Sequence, residues 1–249
     1  MVTHKQPAWH GVTARLTGAT PTSRHRNLHG NALRAAVLGA GDGLLTNVSL
    51  VLGVAAAGTG ASFVRLAGTA GLLAGAFSMA AGELVSVRAQ DELRRREIDV
   101  EAAELRDEPE AELRELAAMY RTRGVPAGDA MTVAKILSAN HELALDTHAR
   151  LELGIDPGAR GSSVRASLAS FVAFAFGAVL PLLPWFFLTS TAAIVTSIVV
   201  AAVAAATLGA TIGVFTGRGA ARTAARQLAA ATVAAGITYA VGAALGVHT

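Results

Sequence analysis

AVLGAGDGLLTNVSLVLGV, residues 36–54, carries a single acid, Asp42, inside an apolar run that extends beyond both ends of the stretch. A helix crosses a bilayer core in about 20 residues, and this run is long enough to do so. A carboxylate held mid-span costs at least about 2.5–3.5 kcal/mol on insertion scales, so its presence favours a functional role over hydrogen bonding to a neighbouring helix. On a helix, Gly39, Asp42, Thr46, Ser49 and Gly53 recur at three- and four-residue steps and form one small, polar face. Small residues permit close helix approach. We therefore expect this Gly39–Gly53 face near the boundary of a homodimer, with one Asp42 from each subunit beside a two-fold axis.

Four further runs are of spanning length. The expected spans are 33–57, 64–87, 166–188, 192–215 and 228–247. The 249 residues are 52% hydrophobic and only 16% charged, with a mean hydropathy of +0.46, which places the chain in the membrane class. The fold class is all-α: a polytopic membrane protein with five transmembrane helices and a cytosolic helical insert between the second and third. The expected division is a disordered cytosolic tail (1–30), helices 1–2 (31–90), an acidic metal-binding insert (91–160) and helices 3–5 (161–249). The tail has no apolar segment of the signal-peptide kind, and its His4, His10, His25 and His29 read better as a solvated tail than as a metal tract. The absence of cysteine excludes disulfides, thiolate ligands and cysteine catalysis.

Arginine sets the orientation. Arg15, Arg24, Arg26 and Arg34 precede the first span, a dense set lies between Arg88 and Arg165, and Arg218, Arg222 and Arg226 precede the fifth; the remaining loops hold only Arg65. Positive residues collect on the cytosolic side, so the N-terminus and insert are expected inside and the C-terminus outside. The pI near 9.9 then records topology, not affinity for nucleic acid. Trp185, Phe186 and Phe187 close the third span as interfacial anchors should. With 19 Arg against 2 Lys, the composition suggests a GC-rich bacterial source and hence the cell membrane.

Of 18 acids, 16 lie between Asp91 and Asp156, and the exceptions are Asp42 and Glu83. Gly71, Gly75, Met79 and Glu83 follow at four-residue steps on the second span; carboxylates with a thioether suit a divalent transition metal. No Gly or Pro falls between Glu83 and Glu108, so this helix should run on past the membrane, with ion pairs Asp91–Arg95 and Glu92–Arg96 at its start. Beyond these, Glu97, Glu101, Glu104 and Glu108 form a like-charged stripe that wants a cation. A second helix should open at DEPE, with Asp107 or Glu108 as cap and Pro109 early in the helix, carry Glu112, Glu115 and Met119, and stop at Gly124. A third, interruptible near Asn140, brings His148 and Glu152 to one side. By spacing alone, a metal cluster and an ordinary acidic surface are equally good readings.

GDGLLTNVSLVLGV, GLLAGAFSMAAGELVSVRAQDEL, and RGV followed by LDTHARLELGIDP together resemble the vacuolar iron transporter family of plant vacuolar and yeast Ca²⁺-sensitivity-complementing transporters. The resemblance implies a five-span dimer carrying Fe²⁺ or Mn²⁺ out of the cytosol in exchange for protons. It implies a membrane path at Asp42, Met79 and Glu83, and a cytosolic site at Glu101, Glu104, Glu112, Glu115 and Glu152. Where members often carry a methionine pair, this chain has His148 and Ala149.

The expected function is thus proton-coupled export of Fe²⁺ or Mn²⁺ as substrates, with no prosthetic group. Protons and metal would compete for the same carboxylates. The runner-up is a metal-gated divalent cation channel or sensor. A membrane di-iron enzyme is disfavoured because the paired Glu-x-x-His motifs are missing.

Overall fold

Helix α1 (Asn31–Ala56) is the axis around which the other membrane helices are arranged. It packs on α2 (Ala61–Asp107), α6 (Ser163–Leu182), α7 (Ser190–Thr216) and α8 (Ala220–Leu245). The computed structural model describes residues 31–158 and 162–246, and every regular element in them is helical. Among the described residues, five helices are long and apolar enough to cross a membrane. The tail, with its four histidines, lies outside the described residues.

Lipid supplies no hydrophobic drive for helix association, so the bundle depends on close approach at small residues. A Cβ on Gly39 would press on the Ser170 carbonyl, one on Gly43 would overlap the Phe174 carbonyl, and one on Gly177 would overlap the Ala40 carbonyl. α1 and α6 therefore meet backbone to backbone. Gly53 and Gly242 do the same for α1 and α8, and Gly209 and Gly213 for α7 and α8. Larger side chains fill the remaining angles: Leu44, Val48 and Leu52 against Ala201, Ala205 and Ala231, and Val51 against Val64, Leu182 and Ala193. Asn47 donates from Nδ2 to the Ala178 carbonyl at 2.5 Å, and Ser197 donates to the Pro181 carbonyl at 2.8 Å. Both support the end of α6, where Pro181 and Pro184 interrupt the helical ladder.

This packing corrects the expected subunit face. Gly39 is covered by α6 and Gly53 by Thr238 of α8, and Ser49 is buried. Different neighbours thus close the two ends of the small-residue face. Beside the covered residues, Leu38, Asp42 and Thr46, at four-residue steps, stay exposed.

Trp185 is likewise no interfacial anchor. It is buried with Val51, Val64 and Leu182, leaving Phe186 and Phe187 exposed. Helix α8 begins at Ala220, two turns before the apolar run, because its alanines sustain a helix through Arg222 and Arg226.

The 47 residues of α2 make a rod about 70 Å long, more than twice a bilayer core, so its second half stands clear of the membrane. It ends at Asp107 because Pro109 cannot continue it. Glu108 is the joint residue, and no side chain caps the next helix. Midway along α2, Asp91 pairs with Arg94 at 2.9 Å, three residues on and not four. Helices α3 (Pro109–Thr122), α4 (Ala127–Ser138) and α5 (His141–Leu151) fold back around Leu116, Ala117 and Ala134. Gly124 takes the left-handed turn after α3 (φ 93°), and the Asn140 side chain caps α5 at Leu143 N–H.

Gly43→Ala should therefore lower stability by about 1–3 kcal/mol through overpacking. Gly128→Ala, where a Cβ meets open space, should cost nothing. Unfolding of the two purified variants in detergent compares them; equal midpoints would contradict the backbone-contact account.

Candidate metal centre

The acids of the insert are not equivalent, because packing selects among them. The α2 extension turns Glu101 inward, where it is 2% exposed, while Glu104 and Glu108 stay at the surface. From α3 comes Glu112, also buried, and from α5 comes His148, which is 0% exposed. Glu152 follows the last turn of α5, its backbone N–H donating to the His148 carbonyl at 2.8 Å.

That turn is braced. Gly154 adopts φ 65°, and Arg150 holds Asp146 at 2.9 Å and Asp156 at 2.7 Å. Arg123 donates to the Met119 carbonyl at 2.9 Å and the Leu151 carbonyl at 3.0 Å, clamping the ends of α3 and α5 together.

The result is a converging set. His148 Nδ1 lies 3.0 Å from Glu101 Oε1, 3.5 Å from Glu112 Oε2 and 3.6 Å from Glu152 Oε2. Ligand atoms of Glu101, His148 and Glu152 all fall within 4.8 Å of one another. Yet both imidazole nitrogens and Glu101 Oε1 are buried without an aligned hydrogen bond. Unpaired buried polar atoms are costly, so such a cluster wants a cation or an added proton between its members. Burial pushes the Glu101 carboxyl up to about 7, helped by the charges of Glu152, Glu112, Glu104 and Glu115. Burial also raises Glu112, with Glu115 and Glu104 adding to it. Three carboxylates around an imidazole are a donor set suited to a first-row divalent metal.

Of the remaining residues singled out by sequence, Glu104 and Glu115 are exposed and reach the cluster through their charge. Met119 is half-buried one turn beyond Glu115. In the membrane, Met79 packs beside Ala76, Phe174 and Ala178. Glu83 is mostly buried and accepts an ion pair from Arg34 at 3.2 Å. Asp42 is exposed, about 12 Å along α1 from Arg34 by helical rise.

Two residues escaped the sequence reading. Arg34 counted there only toward topology, although its place opposite Glu83 follows from antiparallel pairing of α1 and α2. Asn47 is buried, with its Oδ1 unpaired and turned toward Gly71. Its polarity within a span was the available signal, but it falls off the Asp42 face.

The VIT family model matches residues 33–243, from the first turn of α1 to the last turns of α8. The chain belongs to the VIT family. It is 38% identical over 162 residues to a vacuolar iron transporter of Acanthamoeba castellanii, covering 64% of this chain and 58% of that relative. To vacuolar iron transporter 1 of Arabidopsis thaliana it is 29% identical over 156 residues, covering 63% of this chain and 62% of the relative. A shorter stretch of 75 residues is 55% identical to vacuolar iron transporter homolog 5 of Oryza sativa subsp. japonica, covering 30% and 33% of the two chains. The chain thus spans about three fifths of the length of the first two of these relatives.

The raised Glu101 sets a pH dependence. Its folded value is about 7 against an ordinary 4.5, so folding favours its protonated form. That contribution is fully present below the ordinary value and is lost as pH rises through about 7. Metal-free protein should therefore unfold at a lower temperature at about pH 8 than at about pH 6, and Glu101→Gln should flatten the slope. An equal slope in the variant would assign it elsewhere.

Proposed function

We propose that this protein is a transporter, not an enzyme, and that it exports Fe²⁺ or Mn²⁺ from the cytosol in exchange for protons. The observation that carries this reading is the convergence of Glu101, Glu112 and Glu152 on buried His148, whose ring nitrogens make no aligned hydrogen bond. The same helix that supplies Glu101 also bears Met79 and Glu83 in the membrane. Relatives bear the name vacuolar iron transporter, which supports iron as a substrate.

In this mechanism the insert faces the cytosol and gathers metal. Carboxylates that bind either a proton or a metal couple the two fluxes by competition. Metal then passes Glu83 and Met79 to Asp42. An Asp exposed mid-span is expensive against lipid. A second copy covering Leu38, Asp42 and Thr46 removes that cost and places two carboxylates beside a two-fold axis.

Asp42→Asn is nearly isosteric but can neither hold the cation by charge nor release a proton. The variant should assemble and still bind metal at the insert, while pH-driven Mn²⁺ or Fe²⁺ movement into sealed vesicles falls to background. Normal transport by well-expressed Asp42→Asn would sink the path. The same vesicles separate the rival reading, since a metal-gated channel only equilibrates metal and does not accumulate it against a gradient.

In the insert, Glu101→Ala with Glu104→Ala should weaken metal binding by calorimetry yet leave some transport at high metal concentration. Unchanged binding would remove those residues from the site.

A further inference from the structure

We infer that the α7–α8 turn is a binding site for the phosphate of an anionic lipid in the leaflet on the insert's side of the membrane. Arg218, Arg222 and Arg226 stand at four-residue steps and, with Thr223, line one cavity of about 470 Å³. All three arginines are exposed, and among the described residues none pairs with a carboxylate. No acid follows Asp156 in the sequence, so helices α6 to α8 offer none. Their neighbour Thr223 is spoken for, its hydroxyl donating to the Gly219 and Ala220 carbonyls.

Topology puts this turn on the same side of the membrane as the insert, because α6 leaves that side and α7 returns to it. The depth of the site selects the ligand. Gln227, the residue after Arg226, lies against Gly41, seven residues along α1 from Arg34. Arg226 is thus rooted about 10 Å deeper than the Arg34–Glu83 pair by helical rise. From there its side chain must snorkel upward to reach a polar partner. A lipid phosphate sits at the level it reaches, whereas a carboxylate of the insert would have to descend into the bilayer. Below Arg226 the same side of α8 continues as exposed Val233, Ile237 and Val241, an aliphatic track for acyl chains. Basic pockets between spans at this level are a recognised setting for anionic headgroups.

The test uses full-length protein stripped of lipid in a neutral detergent and titrated with phosphatidylglycerol or phosphatidylcholine, with bound lipid counted by native mass spectrometry. The wild type should prefer the anionic lipid. Arg222→Gln with Arg226→Gln should weaken that binding by about thirtyfold, at about a factor of five per arginine, and leave the zwitterionic lipid unaffected. Equal binding of the two lipids by the wild type, which needs no variant, would overturn the proposal. So would undiminished phosphatidylglycerol binding by the folded double variant. Displacement of the lipid by millimolar inorganic phosphate would make this a soluble-anion site instead. Zero-length carbodiimide cross-linking of Arg222→Lys to an insert carboxylate would make the insert the occupant, and either result rejects the lipid.

Discussion

The contact on which the structure depends is the backbone approach of α1 to α6 at Gly39, Gly43 and Gly177. Two helices without side chains between them come close enough for dispersion to hold them where lipid competes for every apolar surface. Once α6 sits there, α2 is set by Phe174 lodging against Gly75, and α7 and α8 take the opposite flank through Leu44, Val48 and Leu52. Most of the apolar surface of α1 is then covered. What remains is the strip bearing Leu38, Asp42 and Thr46, so the exposure of the acid follows from how its helix is held.

The chain answers buried charge in two ways. Glu83 has a fixed cation in Arg34. Glu101, Glu112 and Glu152 have none, and instead share a buried imidazole with both nitrogens unpaired. Gathering like charges out of water is unfavourable unless a mobile cation or protons compensate. The insert thereby stores an electrostatic cost that a divalent ion would relieve, which links its folding to its occupancy.

Much of this was legible in the sequence. Runs of apolar residues gave the five spans, and the stretch without Gly or Pro after Gly82 gave the long second helix. The spacing brought His148 and Glu152 to one side and marked the Glu101/Glu104 and Glu112/Glu115 pairs, but left a metal cluster and an acidic surface as equal readings. Periodicity alone could not say which member of the Glu97–Glu108 stripe turns inward, because that depends on α3 and α5 packing over Glu101. The same limit explains Trp185, whose neighbours come from distant segments, and the glycine face of α1, whose ends are covered by helices from far along the chain. Arg34 and Asn47 found their partners across helices, and no local pattern encodes such pairings.

The unbroken course of α2 has a mechanical meaning. Glu83 and Glu101 are 18 residues apart on one helix, about 27 Å by helical rise, with no Gly or Pro between them. A helix of this kind bends gently and does not fold at a joint. Tilting it by about 5° within the membrane swings Glu101 through about 2 Å. The rod is therefore a lever: whatever grips its outer end is felt, without a hinge to absorb it, at the mouth of the bundle.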